Sequence, residues 1–384
     1  MSAPAAARND RRRIFFVAGE ASGDAQAARL AHALLRLAPE LELVGVGGAK
    51  MRDAGVKTLV DVGELSVMGI SEVVAALARV LGVYRRVVAA LRGPERPDLV
   101  VLVDFPDFNL RVARAAKRAG VKVFYYVSPQ VWAWRERRVR QIRERVDAMV
   151  VLFPFEEEFY AQHGVDARFF GNPLAEDVRA SRDPTETRAR YGASRGRSLV
   201  ALLPGSRAPE IRRHLPLMLE VARSLAGRAR FVIARAPGID REPIAERIDA
   251  AGLDVTVADD DTYDLLAAAD AAVMASGTAT VESALLGCPA VVVYRMSGLS
   301  YRVARLLVRT RFIAMPNILL DAPVYPELIQ GEATSEAVSR ALLRWLDDSA
   351  ARDEVRRRLG AVREALVRPG AADRAAAFVM EVLA

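Results

Sequence analysis

Cysteine is nearly absent: Cys288 stands alone in 384 residues, which excludes an internal disulfide and a cysteine-built zinc site and suits a reducing compartment. Histidine is almost as scarce, and His32, His163 and His214 are too widely separated to read as a metal motif. Lysine supplies only four of the 55 basic residues, at positions 50, 57, 117 and 122, so positive charge here means arginine. Long apolar runs are missing too. No uncharged stretch exceeds about twelve residues, well short of the ~20 needed to cross a bilayer. Arg11 to Arg13 precede an apolar run that stops at Glu20, too short for the hydrophobic region of a secretion signal. These absences predict a cytoplasmic protein with only peripheral membrane contact.

Of the residues present, 52% are hydrophobic and 27% charged, an ordinary globular balance in a chain long enough for two domains. The formal net charge of +7 favours an anionic partner: nucleic acid, an acidic lipid surface or a phosphorylated substrate.

The most informative stretch is Leu99 to Asn109, LVVLVDFPDFN. Its apolar run reads as a strand buried on both faces, and Pro106 bars any continuation of the ladder. Asp104 is thereby left at the carboxyl end of a strand, where ligands sit in open α/β sheets and where a general base is useful. Asp107 and Asn109 are candidates to cap a following helix, Leu110 to Ala119.

Strand-like segments at 14–17, 43–46, 99–103, 121–127 and 148–153 alternate with helical ones, which predicts a parallel sheet with helices on both faces. The first strand runs into Gly19-Glu20-Ala21-Ser22-Gly23-Asp24, read as a turn that exposes backbone N–H groups before a helix over 25–37. Its spacing is not G-x-G-x-x-G, so no dinucleotide site is indicated. The charged, breaker-rich stretch 181–197 reads as a linker. Beyond it, strands at 199–203, 230–234, 254–257, 271–274 and 290–294 predict a second parallel sheet. The expected architecture is α/β: two doubly wound, Rossmann-like lobes, 1–180 and 198–346, facing a cleft. The C-terminal helices, 347–384, are expected to return to the first lobe or to pack on a partner subunit.

In the second lobe two glycine turns follow strands. Pro204-Gly205-Ser206-Arg207 adds a positive charge to one helix start, and Ser276-Gly277-Thr278 precedes a helix carrying Glu282. Small residues at helix N-termini admit a diphosphate, and a carboxylate one turn in can accept from both hydroxyls of a ribose. Together they point to a nucleoside diphosphate. Asp259-Asp260-Asp261 could mimic a metal-binding acidic motif, but Asp261 and Thr262 stand where they would cap the next helix, so neither metal nor cofactor is expected.

Two further stretches carry charge and apolar surface together. Ser66 to Leu91 forms an amphipathic pattern whose polar flank bears Arg79, Arg85 and Arg86; it reads either as a helix packed on the sheet or as one that meets anionic lipid. Ser128 to Arg145 interleaves two tryptophans with six arginines. Those arginines run round the helix instead of tracking one groove, which argues against nucleic acid and for a cleft wall with a solvated face.

At this point the motifs support a resemblance. VAGEASGD (17–24), VMGISEV (67–73), DFPDFN (104–109), YVSPQVWAWR (126–135), LLPGSR (202–207), ASGTATVE (275–282), MPNILL (315–320) and PELIQ (326–330) resemble those of the lipid-A-disaccharide synthase family. That family often has Thr where Ala21 stands and Ser where Gln130 stands. The resemblance implies an inverting glycosyltransferase of the two-lobed GT-B type. It would join UDP-2,3-diacylglucosamine to 2,3-diacylglucosamine 1-phosphate through a β-1,6 bond, releasing UDP, at the inner leaflet of a Gram-negative bacterium. A homodimer is compatible with it. Asp104 would be the general base. Glu20, Ser22, Asp107, Asn109, Trp132, Arg135, Asn317, Glu327 and Gln330 would contact substrate; Gly205, Ser206, Arg207, Ser276, Gly277, Thr278 and Glu282 would bind UDP. The competing readings are an undecaprenyl-linked N-acetylglucosaminyltransferase, a UDP-sugar 2-epimerase, or a two-lobed binding protein without catalysis.

Overall fold

The computed structural model describes residues 11–64, 73–134, 136–193, 196–298, 301–302, 305 and 310–384. The chain divides into two compact units, 1–173 with 368–384, and 174–367.

In the first unit seven parallel strands form one sheet: β1 (Arg13–Ala18), β2 (Glu42–Gly47), β3 (Lys57–Asp61), β4 (Leu99–Val103), β5 (Lys122–Tyr126), β6 (Ala148–Val151) and β7 (Ala167–Phe169). Their spatial order is β3-β2-β1-β4-β5-β6-β7. β4 is buried along its whole length, as an uninterrupted LVVLV run in the middle of a parallel sheet requires. The order reverses between β1 and β4, whose register pairs Ala18 with Val103. Ligands of open α/β sheets bind at that switch point, and the two residues that follow are Gly19 and Asp104.

The second unit repeats the plan with β8 (Ser198–Leu203), β9 (Ala229–Arg235), β10 (Val255–Asp259), β11 (Ala271–Ala275), β12 (Ala290–Tyr294) and β13 (Glu327–Ile329), in the order β10-β9-β8-β11-β12-β13. Its switch point lies between β8 and β11. The turns that follow those strands are Pro204 to Arg207 and Ser276 to Thr278.

Three strands escape the sequence reading. β3 is largely exposed, and β7 and β13 are three-residue edge strands, too short to show a period.

The expected linker is also corrected. Residues 181–197 belong to the second unit and carry helix Pro184–Arg190. Buried Asp264 accepts from the Ser181 N–H and hydroxyl and from the Arg182 N–H, while buried Asp261 accepts from Arg182 and the Tyr191 hydroxyl. Charge and breakers look like a linker in sequence, but here the arginine is consumed by buried carboxylates. The C-terminal expectation is corrected in the same way. Helix Ser349–Leu366 stays with the second unit, where Leu359, Val362 and Leu366 are buried and Arg352 pairs with Asp270. Only helix Ala371–Leu383 joins the first unit, with Phe378 edge-on to Phe124 of β5 at 5.4 Å.

Helix Val73–Arg92 contains the described part of the amphipathic stretch. Val83, Val87 and Leu91 are buried, Tyr84 meets Phe108 edge-on, and Leu81 is exposed. The side of the helix that carries Val83, Val87 and Leu91 therefore packs inward and the side that carries Leu81 does not, while Val67, Met68 and Ile70 lie outside the described residues.

Candidate functional site

At the switch point of the first unit the backbone does something unusual. Asp104 and Phe105 both adopt the left-handed conformation, each with φ of 47°. For two non-glycine residues in succession this costs on the order of 1–3 kcal/mol each, so surrounding bonds must impose it. The Asp104 carbonyl accepts from Asn109 Nδ2 at 2.7 Å and from the Tyr125 hydroxyl at 2.6 Å. Asn109 also donates to the Val103 carbonyl at 3.1 Å, tying the turn to the end of β4.

Asn109 thus takes a role different from the two expected of it. Helix Pro106–Arg118 starts earlier than expected, with Pro106 in its first turn and Phe105 at the cap. Asn109 is fully buried one turn inside, bracing the backbone instead of capping or presenting a group to a ligand. Asp107 is no cap either. It is an exposed first-turn acid, suited to the helix dipole, and ion-pairs with Arg138.

The Asp104 carboxyl is half-buried. Burial raises its pKa, the Phe105 N–H opposes that, and the negative charge of Glu20 adds to the rise; none of these principal influences is a cation. A carboxylate left unneutralised at a strand end is a better proton acceptor than one held in a salt bridge.

Helix Ala21–Leu37 begins directly after Glu20, so Ser22, Gly23 and Asp24 are helical and do not form the expected turn. Glu20 and Ser22 are exposed at its start. Asp24 is buried and faces the other way, accepting from the N–H groups of Gly48, Lys50 and Met51 and so holding the start of helix Ala49–Asp53. Gly19 has a steric reason: a Cβ there would land on the Phe105 ring, so this position links two motifs separated by 85 residues.

After β5 the chain makes a second strained turn. Val127 has φ of 67°, a genuine outlier for a β-branched residue. Beyond it, Ser128 Oγ and Trp132 Nε1 both donate to Glu156 Oε1 at 2.9 Å. Glu156 Oε2 accepts from the Leu152 and Phe153 N–H groups at 2.9 and 3.0 Å. Burial pushes the Glu156 pKa up to about 7 against the pull of these donors. Trp132 is half-buried with Phe155 edge-on at 4.8 Å, and Arg135 lies outside the described residues.

In the second unit Gly205 has φ of 129°, and a Cβ there would strike the side chain of Glu210, so the turn before helix Ala208–Ser224 calls for glycine twice over. Ser206 donates its N–H to Glu210 Oε2 at 3.0 Å, and Arg207 is exposed with Glu210 at 3.6 Å. Across the switch point Ser276 Oγ donates to the Ile313 carbonyl at 2.8 Å, while Gly277 and Thr278 are exposed before helix Ala279–Leu285. Glu282 is half-buried, receives the Tyr263 hydroxyl at 3.3 Å, and has its pKa raised by burial.

Asn317, Glu327 and Gln330 form braces. Glu327 accepts from the N–H groups of Ile313 and Ala314 and from Asn317 Nδ2, and fully buried Asn317 also exchanges two bonds with the Tyr325 backbone. Gln330 bonds both the N–H and the carbonyl of Met296. These side chains brace the chain at Met296, Ile313, Ala314 and Tyr325.

Two residues to which the sequence analysis assigns no role matter. Glu156 is one. His214 is the other: it is buried, with Nδ1 3.0 Å from the Pro204 carbonyl and Nε2 accepting from the Arg295 N–H at 3.0 Å, so it ties the Pro204 to Arg207 turn to the end of β12 in its neutral form. Burial lowers its pKa below 6.5. Above pH about 6.5 this histidine costs nothing on folding. As pH falls below that value the unfolded chain takes the proton first, so native stability drops. The melting temperature is expected to fall across that window, and the gap between the parent and His214→Gln to narrow as it does. A gap independent of pH would show that the ring titrates normally.

The acidic triplet divides among partners. Asp259 pairs with Arg235 and Arg241, and Asp261, at the cap position of helix Thr262–Ala268, bonds Arg182 and Tyr191 instead of the helix backbone, which corrects the capping expectation.

With both half-sites described, comparison with known proteins is informative. The family model described as lipid-A-disaccharide synthetase matches residues 14–382. A lipid-A-disaccharide synthase of Geobacter sulfurreducens is 44% identical over 381 residues, covering 98% of each chain. Among solved structures, the calicheamicin glycosyltransferase CalG4 superposes with a TM-score of 0.59 at 16% identity, covering 98% of this chain and 99% of that one. The UDP-GlcNAc 2-epimerase of Neisseria meningitidis bound to UDP-GlcNAc gives 0.61 at 11% identity, covering 96% and 99%. Such distant likenesses bear on the fold alone, which is the α/β, two-lobed GT-B fold. The sequence match goes further: this chain belongs to the lipid-A-disaccharide synthase family of glycosyltransferases.

Proposed function

We propose that this chain transfers the 2,3-diacylglucosaminyl group of its UDP derivative to the 6-hydroxyl of 2,3-diacylglucosamine 1-phosphate. Asp104 takes the hydroxyl proton as that oxygen attacks the anomeric carbon, the bond to UDP breaks, and the single displacement inverts the configuration. The leaving diphosphate is stabilised by the Gly205 to Arg207 turn and the Ser276 to Thr278 turn, with Glu282 on the ribose. No metal takes part. Glu20, Ser22, Asp107 and Trp132 line the acceptor side; Asn109 positions Asp104, and Asn317, Glu327 and Gln330 support the donor side.

The observation that carries this reading is Asp104 itself: a half-buried carboxylate with raised pKa, at a sheet switch point, on a backbone held in the left-handed region by Asn109 and Tyr125. The deciding experiment incubates the protein with both acylated sugars and measures disaccharide by mass. UDP release without disaccharide would instead favour a UDP-sugar 2-epimerase.

Both substrates carry acyl chains, and among the described residues no helix is long and apolar enough to cross a membrane. The enzyme then meets them at an anionic surface, through the 66–91 stretch. Buried CH₂ groups are worth ~0.8 kcal/mol each and interfacial arginines about 1 kcal/mol. Replacing Val67, Met68 and Ile70 by serine is expected to reduce binding to anionic vesicles, with melting temperature nearly constant. Raised salt should weaken the same binding. A large loss of melting temperature with normal vesicle binding would place this face in the protein core.

A further inference from the structure

Trp132 stands on the acceptor side of the reading above, and its position is not set by its own short helix, Val131–Trp134. It is set from behind. Four donors converge on the Glu156 carboxylate, two on each oxygen: the Leu152 and Phe153 N–H groups on Oε2, the Ser128 hydroxyl and the Trp132 indole N–H on Oε1. Glu156 is completely buried, in the first turn of helix Pro154–Ala161. The Leu152 and Phe153 bonds anchor it to the end of β6. The loop it grips on the other side starts at Val127, whose left-handed backbone a β-branched residue does not adopt unaided. Tyr160 adds a second hold, donating to the Pro129 carbonyl at 3.0 Å.

We propose that Glu156 is a positioning residue for the acceptor: through Ser128 and the Trp132 indole it locks the strained Val127 to Trp132 loop into the shape that receives the acceptor sugar. The acceptor part of this statement rests on the proposed reaction; the lock does not.

The chemistry of the two oxygens supplies a selective variant. In Glu156→Gln the amide oxygen can keep both backbone donors, which preserves the helix start. The amide NH₂ then faces Ser128, whose hydroxyl can rotate to accept, and the Trp132 N–H, which cannot. The variant therefore releases the indole and keeps the anchor.

Two measurements test the lock. Acrylamide quenching of tryptophan fluorescence is expected to increase in Glu156→Gln, and the same substitution made in Trp132→Phe should change it no further. This arm reads the lock whatever the substrate is, and unchanged quenching in a variant with parental melting temperature overturns the proposal. In steady state, Glu156→Gln should raise the acceptor KM by about tenfold, as loss of a charge-assisted bond allows, with donor KM and kcat within about threefold. In the Trp132→Phe background it should cost nothing more, because both changes break one interaction. An equal cost in both backgrounds overturns the route through Trp132. Increased quenching in Glu156→Gln, with a parent that forms no disaccharide, would support the lock and refute the proposed reaction.

Discussion

Asp104→Asn is expected to lower disaccharide formation about 10²- to 10⁴-fold while leaving UDP affinity nearly unchanged. Asparagine keeps the size of the side chain and leaves the Asn109 and Tyr125 bonds to the residue-104 carbonyl intact, so the left-handed turn persists. It cannot take the proton of the attacking hydroxyl. Burial and the charge of Glu20 hold the Asp104 pKa above the ordinary 3.8, which brings the base closer to the working pH. The parental rate should therefore fall as pH drops through that raised value, and the variant should lack this limb. A folding control comes from the same shift. Because the folded state disfavours the charge, Asp104 contributes stability that is lost as pH rises through its folded pKa. Neutral asparagine at pH 7 should leave the melting temperature equal or higher. Activity within a few-fold of the parent would make Asp107 the next suspect, an acid that is exposed and already paired with Arg138.

How much of this was legible in the sequence depends on whether a residue acts locally or through distant partners. The β4 strand and the placement of Asp104 follow from a continuous apolar run and one proline, both local signals. The two glycine turns of the second unit are local in the same sense, and both fall at its switch point. Helix starts were less legible. Glu20 and Phe105 cap their helices without a side-chain bond, so nothing in the residue types marks either boundary. Long-range roles were hidden altogether. Asp24 looks like part of an anion-binding turn until Gly48 is seen to donate to it, and Arg182 looks like linker charge until Asp261 and Asp264 close around it. Glu156 had one readable trace. A glutamate two residues after Pro154 can reach back to the N–H of the cap residue Phe153, the glutamate half of a capping box, but only the fold brings Ser128 and Trp132 to its other oxygen. His214 has no sequence trace, because its partners lie 10 and 81 residues away.

Arg207→Ala is expected to weaken UDP binding roughly 10- to 100-fold, the ~1.5 to 3 kcal/mol of a lost charge-assisted hydrogen bond. The side chain is 76% exposed, and its carboxylate neighbour, Glu210, lies 3.6 Å away. Exposed pairs of this kind contribute about 0–1 kcal/mol, so the guanidinium is held loosely and its removal should hardly move the melting temperature. Affinity and stability thus separate at this position. Arg207 also stands at the cap of helix Ala208–Ser224, where the positive end of the dipole already favours an anion. Glu210 occupies part of that end by accepting from the Ser206 N–H, so an entering diphosphate competes with it for the same donor. The arginine, unlike the backbone N–H groups, can follow a phosphate outward, and its loss is therefore expected to weaken the nucleotide more than loss of any one backbone donor. On the proposed reading the phosphate charge is met in this way, and chelation is therefore expected to leave the rate intact. The acidic triplet is committed to other partners, Asp259 to Arg235 and Arg241, and Asp261 to Arg182 and Tyr191. Titration calorimetry with UDP reads the first expectation, and the rate of disaccharide formation with and without a chelator reads the second. UDP affinity within twofold of the parent in Arg207→Ala would transfer the phosphate to the 276–278 turn, and a strict requirement for a divalent ion would overturn the metal-free reading and reopen the role of Asp259 to Asp261.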